Sequence, residues 1–201
     1  MEINLAKLKG KYVWLDSLNE GYRETIRPMA RNEQIWEFNK MLLVDDNYDN
    51  MYNAYFDAAL DKSQLGGQQT FVIRKRVDNS IIGMTRLYEI NARDKHAMIG
   101  YTWYLPSVWG KVHNKECKLL LLQYIFETLG FNRAELRAAS QNIRSQRAIE
   151  KIGGTKEGVL RKHGYRNDGS IKDTVIYGII NDEWECVKEN LLRLIADNEN
   201  D

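Results

Sequence analysis

Apolar and polar positions along this chain switch repeatedly between a two-residue period and a period of three to four, the alternation of strands with helices. In Ile171–Ile180, Ile171, Asp173, Val175, Tyr177 and Ile179 alternate with Thr174, Ile176 and Ile180, which predicts a strand. Its partner is Glu157–Tyr165 across Asn167-Asp168-Gly169, the strongest hairpin signal in the chain. Thr70–Val77 and Ile81–Ile90, joined by Asp78-Asn79-Ser80, predict a second hairpin, and Lys11–Leu15 a first strand. Gly21–Phe38 reads as helical with an interruption near Pro28, whose missing N–H breaks the ladder. Asp49–Lys62 predicts an amphipathic helix with Met51, Tyr55, Ala58 and Ala59 at helical spacing, residues that suit a core or a groove lining. Leu65–Gln68 is expected to be a loop, Glu183–Ala196 a closing helix, and Asp197–Asp201 a frayed end.

The middle of the chain organises the rest. His96–Leu105 is a run of β-formers that stops at Pro106-Ser107. After the loop Val108–His113, Glu116–Leu129 leaves almost no polar face, as a buried helix would; Asn114 suits its N-cap, Glu116 its positive end and Gly130 its stop. Arg133–Ala139 follows as a strand. A strand, helix, strand order makes it parallel to the first through a crossover. Asn142–Ile152 predicts a shorter helix capped by Asn142, with Ile149 and Ile152 inward and Gly153-Gly154 ending it. A glycine-containing loop that feeds a helix N-terminus presents unpaired N–H groups to a phosphate, although the same pattern is also an ordinary connection that binds nothing.

Composition narrows the class. At 201 residues, 43% hydrophobic and 28% charged, with no repeat or low-complexity linker, residues 1–201 read as one mixed α/β domain. A net charge of +1 provides no broad field for nucleic acid. Without a membrane-length apolar run, and with a start at Met1–Asn4 unlike a signal peptide, the expected address is the cytoplasm, with no membrane partner. Cys117 and Cys186 stand alone, so neither a metal site nor a disulfide is indicated.

Four pieces in order carry a resemblance: Trp109-Gly110-Lys111; Asn114-Lys115-Glu116; Asn142–Gly153; and Glu157–Arg161 with Asp173-Thr174-Val175. Together, over about Lys9–Trp184, the chain resembles the GNAT superfamily of acetyl-CoA-dependent N-acetyltransferases, and within it the ribosomal-protein N-terminal branch. The resemblance implies a strongly curved sheet of about seven strands, mostly antiparallel, flanked by helices, with a central parallel pair that splays to admit acetyl-CoA. It implies that the pantetheine arm pairs near Trp103, Tyr104 and Leu105, and that the pyrophosphate sits on Trp109, Gly110, Lys111, Val112, His113, Asn114 and Lys115. Asn142 and Ser145 match positions that contact the cofactor arm, with simple helix capping as the alternative for each. Acetyl-CoA and an amine acceptor are the implied partners, in a monomer or homodimer.

The chain departs from that pattern in four places, one of them Asn114, which replaces a third small residue of the loop. Val112 stands where many relatives have a second glycine, and its β-carbon would narrow the approach of a phosphate. Met98 stands where a glutamate base is common and Ile149 where a tyrosine acid is common; neither moves a proton. Glu89 is the nearest substitute base and Ser145 a donor to the departing thiolate, with His113, His163, Tyr165 and Tyr177 as further candidates. The acceptor groove is expected between Arg31–Tyr55 and Gly164–Ser170, where Asp45, Asp46 and Asp49 either attract a cationic amine or form a solvated face. Two readings of function remain: direct acetyl transfer to a primary amine, or a catalytically weak acyl-CoA-binding or sensory protein.

Overall fold

The computed structural model describes residues 8–38, 41–64 and 67–197. Leu65 and Gly66 of the expected loop Leu65–Gln68, the tail beyond Asp197 and the Met1–Asn4 start lie outside them.

Seven strands form one sheet: β1 (Val13–Ser17), β2 (Gln68–Lys75), β3 (Ile81–Asn91), β4 (His96–Tyr104), β5 (Arg133–Ala139), β6 (Thr155–Tyr165) and β7 (Ile171–Ile180), in the order β1-β2-β3-β4-β5-β7-β6. Every neighbouring pair is antiparallel except β4 and β5, as the sequence pattern predicts. Their parallel register runs from His96↔Arg133 to Ile99↔Leu136 and stops there, although β4 continues to Tyr104 and β5 to Ala139. The sheet is therefore forked beyond Ile99.

Among the described residues the α-helices are α1 (Arg23–Ala30), α2 (Glu33–Trp36), α3 (Tyr48–Gln64), α4 (Val112–Gln123), α5 (Ile143–Lys151) and α6 (Trp184–Ala196). Helices α1–α3 cover one sheet face, where Trp36, Tyr48, Tyr52, Tyr55 and Phe56 pack on Val72, Met84 and Trp103. Helices α4 and α6 cover the other through Leu119–Leu122, Val187 and Leu191. Successive residues of β2 divide between the two cores, Phe71 and Ile73 to one and Val72 to the other, as a two-residue period requires. No helix of the described residues is long and apolar enough to cross a membrane.

Several boundaries differ from the sequence reading: β2 already begins at Gln68, within the expected loop, and ends at Lys75, and α3 begins at Tyr48. Pro28 lies inside α1, and the break falls at Arg31. Tyrosine hydroxyls from α3 take up helix carbonyls there, Tyr52 donating to the Arg23 carbonyl at 2.8 Å and Tyr48 to the Arg27 carbonyl at 2.6 Å. Helix α4 starts at Val112, so Lys111 occupies the N-cap and Asn114 the first turn, because buried Val112 anchors that turn in the core. Strand β1 starts at Val13, since the Lys11 and Tyr12 N–H groups are bound by the Glu116 carboxylate. Gly130, at φ 62°, ends the π turn Tyr124–Thr128 that extends α4.

Candidate functional site: a cleft at the fork of the sheet

Two β-bulges shape β4. Between the pairs Met84↔Trp103 and Arg86↔Gly100, β4 carries one extra residue, and Tyr101 takes a left-handed φ of 51°. Between Tyr88↔Met98 and Asn91↔His96 the extra residue is in β3, and Glu89 takes φ 48°. Both strained residues line the same cleft, as strain at functional sites often does.

That cleft, of about 840 Å³, opens where β4 and β5 part and runs to the N-terminus of α4. It is lined by Lys111, Lys115, Lys118, Arg137, Arg144, Lys151 and Lys172, against the single carboxylate of Glu89. A chain of net charge +1 thus concentrates cations in one groove, which favours an anionic ligand. Gly110, at φ 77° and with open space around its α-carbon, turns the chain into α4, whose N-cap Lys111 supplies no side-chain cap. The Trp109 indole N–H holds this loop by donating to the Tyr104 carbonyl at 2.9 Å, and the Arg144 guanidinium lies 3.7 Å from the Trp109 ring centre. The buried Asn114 Oδ1 has no hydrogen-bond partner among the described residues. Those features fit a diphosphate followed by an amide-rich arm.

Of the residues singled out from sequence, Glu89, Trp103, Tyr104, Trp109, Gly110, Lys111, Asn114, Lys115, Asn142 and Ser145 all line this cleft. Leu105, Val112 and His113 do not. The Leu105 N–H is bound to the Ile82 carbonyl at 2.9 Å, and the Val112 side chain is turned into the core, so its β-carbon does not crowd the groove. His113 is half-buried, and desolvation, aided by Lys75 and Lys111, lowers its pKa. Asn142 caps α5, its Oδ1 accepting the Ser145 N–H at 2.9 Å.

Met98 and Ile149 line the cleft and bring no proton-transfer group to it. His163 lines it with Nδ1 3.1 Å from the Thr174 hydroxyl. Tyr165 is exposed and off the cleft, while the buried Tyr177 hydroxyl donates to Glu150 at 2.9 Å, with burial first and that bond second raising its pKa to about 12. The acidic run does not reach the cleft: Asp45 accepts the Asn47 N–H in the turn before α3, and Asp49 pairs with Arg27 at 3.2 Å. The β6–β7 turn docks on the segment after α2, Arg166 donating to the Phe38 carbonyl at 3.0 Å and Asn167 to the Met41 carbonyl at 2.6 Å.

Sequence reasoning missed two buried cations. Lys118 lines the cleft with its ammonium 3.2 Å from the Thr102 hydroxyl, and burial lowers its pKa. Arg86 lies on the opposite face of the sheet from α4, against α3. A single arginine within IIGMTRLYEI, a run otherwise dominated by strand formers, was the available signal.

A forked α/β sheet whose opening leads to a helix N-terminus without a side-chain cap, and is lined with cations, forms one groove suited to an elongated anionic ligand. Residues 14–155 match the family model described as acetyltransferase (GNAT) domain, and the chain belongs to that family. It is 36% identical over 112 residues to a Bacillus subtilis (strain 168) protein named "Putative ribosomal N-acetyltransferase YdaF", a match spanning 55% of this chain and only 60% of that protein. A second B. subtilis protein, named "Probable N-acetyltransferase YjcK", is 28% identical over 185 residues, 89% of this chain and 99% of its own length. Among solved structures, the spermidine N-acetyltransferase of Vibrio cholerae in complex with CoA and spermine superposes with a TM-score of 0.69 over 88% of this chain and 99% of its own. At 21% identity that likeness concerns the fold alone.

Proposed function

We propose that this protein transfers the acetyl group of acetyl-CoA to a primary amine, by direct attack while both are bound. The observation that carries the reading is the fork beyond Ile99↔Leu136 leading to the uncapped, cation-flanked N-terminus of α4. Gly110, Lys111, Asn114 and Lys115 would hold the pyrophosphate, the free edge of β4 through Trp103 and Tyr104 the arm, and Asn142 and Ser145 its thioester end. Acetyl-CoA supplies an activated acyl carbon and a thiolate leaving group. The protein's share is to hold that carbon beside a neutral amine and keep water out, which positioning and backbone donors accomplish without a strong base.

An α-amine suits such a site better than a lysine side chain. Its reference pKa is about 7.7–8.0 against about 10.4, so a useful fraction is neutral at physiological pH. Glu89, exposed at the β3 bulge, supports a minor role in accepting the amine's proton. The presence of Met98 and Ile149 on the cleft favours a second reading, a binding or sensory protein without turnover. Titration calorimetry with acetyl-CoA, paired with a thiol-release assay over an amine library, separates the two. Binding with CoA release supports transfer; binding with no release for any amine supports the second reading.

A further inference from the structure

Arg86 is 4% exposed, and its Nε and Nη2 atoms have no hydrogen-bond partner among the described residues. No carboxylate pairs with it there. A guanidinium cannot shed its charge to escape burial, so an isolated one is costly unless something anionic completes it. Two tyrosine rings flank it, Tyr55 with its centre 4.9 Å away and Tyr101 4.4 Å away. Cation–π contact offsets part of that cost but leaves the N–H groups unsatisfied.

Nearby polar groups share the same deficiency. The Tyr55 hydroxyl and the Trp103 indole N–H are buried without partners, and Trp36 touches both rings, 5.9 Å from Tyr55 and 6.0 Å from Trp103. Guanidinium and indole N–H groups can only donate, and a phenol can donate. What this corner lacks is therefore an acceptor. Nε and Nη2 form one edge of the guanidinium, the edge that grips both oxygens of a carboxylate.

The location fits the acceptor substrate. Arg86 pairs in register with Gly100, one residue beyond the last β4–β5 pair at Ile99, so it sits level with the fork. Its flanking Tyr101 is 39% exposed and lines the cleft together with Trp103, Ile35 and Met41. We propose that Arg86 is the anchor for a carboxylate carried by the acceptor amine, which makes the acceptor class amino acids or other aminocarboxylates with an apolar side chain, and disfavours polyamines. The acceptor assignment rests on the acetyl-transfer reading above; the anion site rests on Arg86, Tyr55 and Trp103 alone.

Calorimetry on the full chain with CoA present tests the site directly, using L-leucine against isopentylamine, L-phenylalanine against phenethylamine, inorganic phosphate and spermine. At least one amino acid is expected to bind about 10²-fold or more tightly than its carboxylate-free counterpart, the scale of leaving a buried charge unpaired. Arg86→Met should abolish that preference, and Arg86→Lys, which keeps charge but not the two-point edge, should recover only part of it. Acetyl-CoA affinity should stay unchanged in both variants, and Arg86→Met should melt no lower than the parent; a purely structural arginine would lower melting instead. Thiol release then separates the two claims: amino-acid binding through Arg86 without CoA release keeps the anchor and defeats transfer. Transfer to isopentylamine or spermine as readily as to amino acids defeats the anchor and keeps transfer. Binding of phosphate alone, or no amino-acid binding that depends on Arg86, also overturns it.

Discussion

The Glu116 carboxylate in α4 accepts the Val13 backbone N–H at 2.7 Å from 103 positions away, and it accepts those of Lys11 and Tyr12 at the same distance. One buried side chain thus satisfies three donors, two just before β1 and one on its first residue, and ties that edge strand to the helix whose N-terminus borders the cleft. Gly10 makes room for it, because a β-carbon there would overlap the carboxylate. Glu116→Gln puts an amide donor against backbone donors and should cost about 1.5–3 kcal/mol, the range for hydrogen bonds to charged groups. Urea unfolding should show the loss with an unchanged slope. A shift below about 0.5 kcal/mol, the scale of ordinary surface changes, would mean β1 is held by its sheet partner alone.

Acetyl-CoA should stabilise the folded state in proportion to its selectivity for it. At about 100 times the dissociation constant the gain is about 2.7 kcal/mol, or about 5–10 °C in melting temperature for a chain of this size. Because Lys111, Lys115 and Arg144 line the groove, the shift should shrink as salt rises. An unchanged melting temperature at saturating acetyl-CoA would remove the basis for the cleft as a CoA site.

Asn142→Ala tests whether that residue is more than a cap. Loss of the Oδ1 bond to the Ser145 N–H should cost about 0.5–2 kcal/mol of stability. Since Asn142 also lines the cleft, the acetyl-CoA dissociation constant should rise as well. Calorimetry on the folded variant reads this separately, and an unaltered constant would confine Asn142 to capping.

Periodicity and turn residues made the frame legible. The Arg133–Ala139 strand, the Asn167–Gly169 turn and the Gly130 stop depend on neighbours within a few positions, which a sequence displays. Glu116 shows the limit of that approach. The sequence pattern puts it at the positive end of the helix, but α4 starts at Val112 and leaves Glu116 beyond the first turn; its partners are residues 11–13, brought to it only by the fold. Arg86 and Lys118 were missed for a related reason: an arginine inside a strand pattern marks a cation that will be buried, but whether a counter-ion meets it is decided by the fold. Val112 shows the converse. Its threat to phosphate binding depends on where its β-carbon points, and the helix start turns it into the core.

Lys118 gives a pH dependence with a definite sign. Burial lowers its pKa below the ordinary 10.5, so between the folded value and 10.5 the unfolded chain binds more protons than the native one. Stability from this group therefore rises with pH across that window and is lost below it. Lys118→Met removes the dependence. The wild-type stability minus that of Lys118→Met should grow from pH 7 towards pH 10, read by urea unfolding at each pH. A difference that stays flat would show that water reaches the ammonium.

The catalytic step is tested by the pH profile of turnover at saturating acetyl-CoA. With Met98 and Ile149 on the cleft, the side chains at those two places cannot move the amine's proton. If positioning carries the rate, turnover should follow the neutral fraction of the acceptor. For an α-amine it should rise with pH and level off near about 7.7–8.0, moving with the amine's own pKa when acceptors are changed. Glu89→Gln should then cost less than about threefold, because an exposed carboxylate at the β3 bulge is a weak base in competition with water. A positioned base contributes about 10²-fold or more, so a loss of that size in Glu89→Gln, with acetyl-CoA binding intact and the limb of the profile gone, would make Glu89 the proton acceptor. Its left-handed backbone would then be the device that turns the carboxylate into the fork, one register step from the place Met98 occupies.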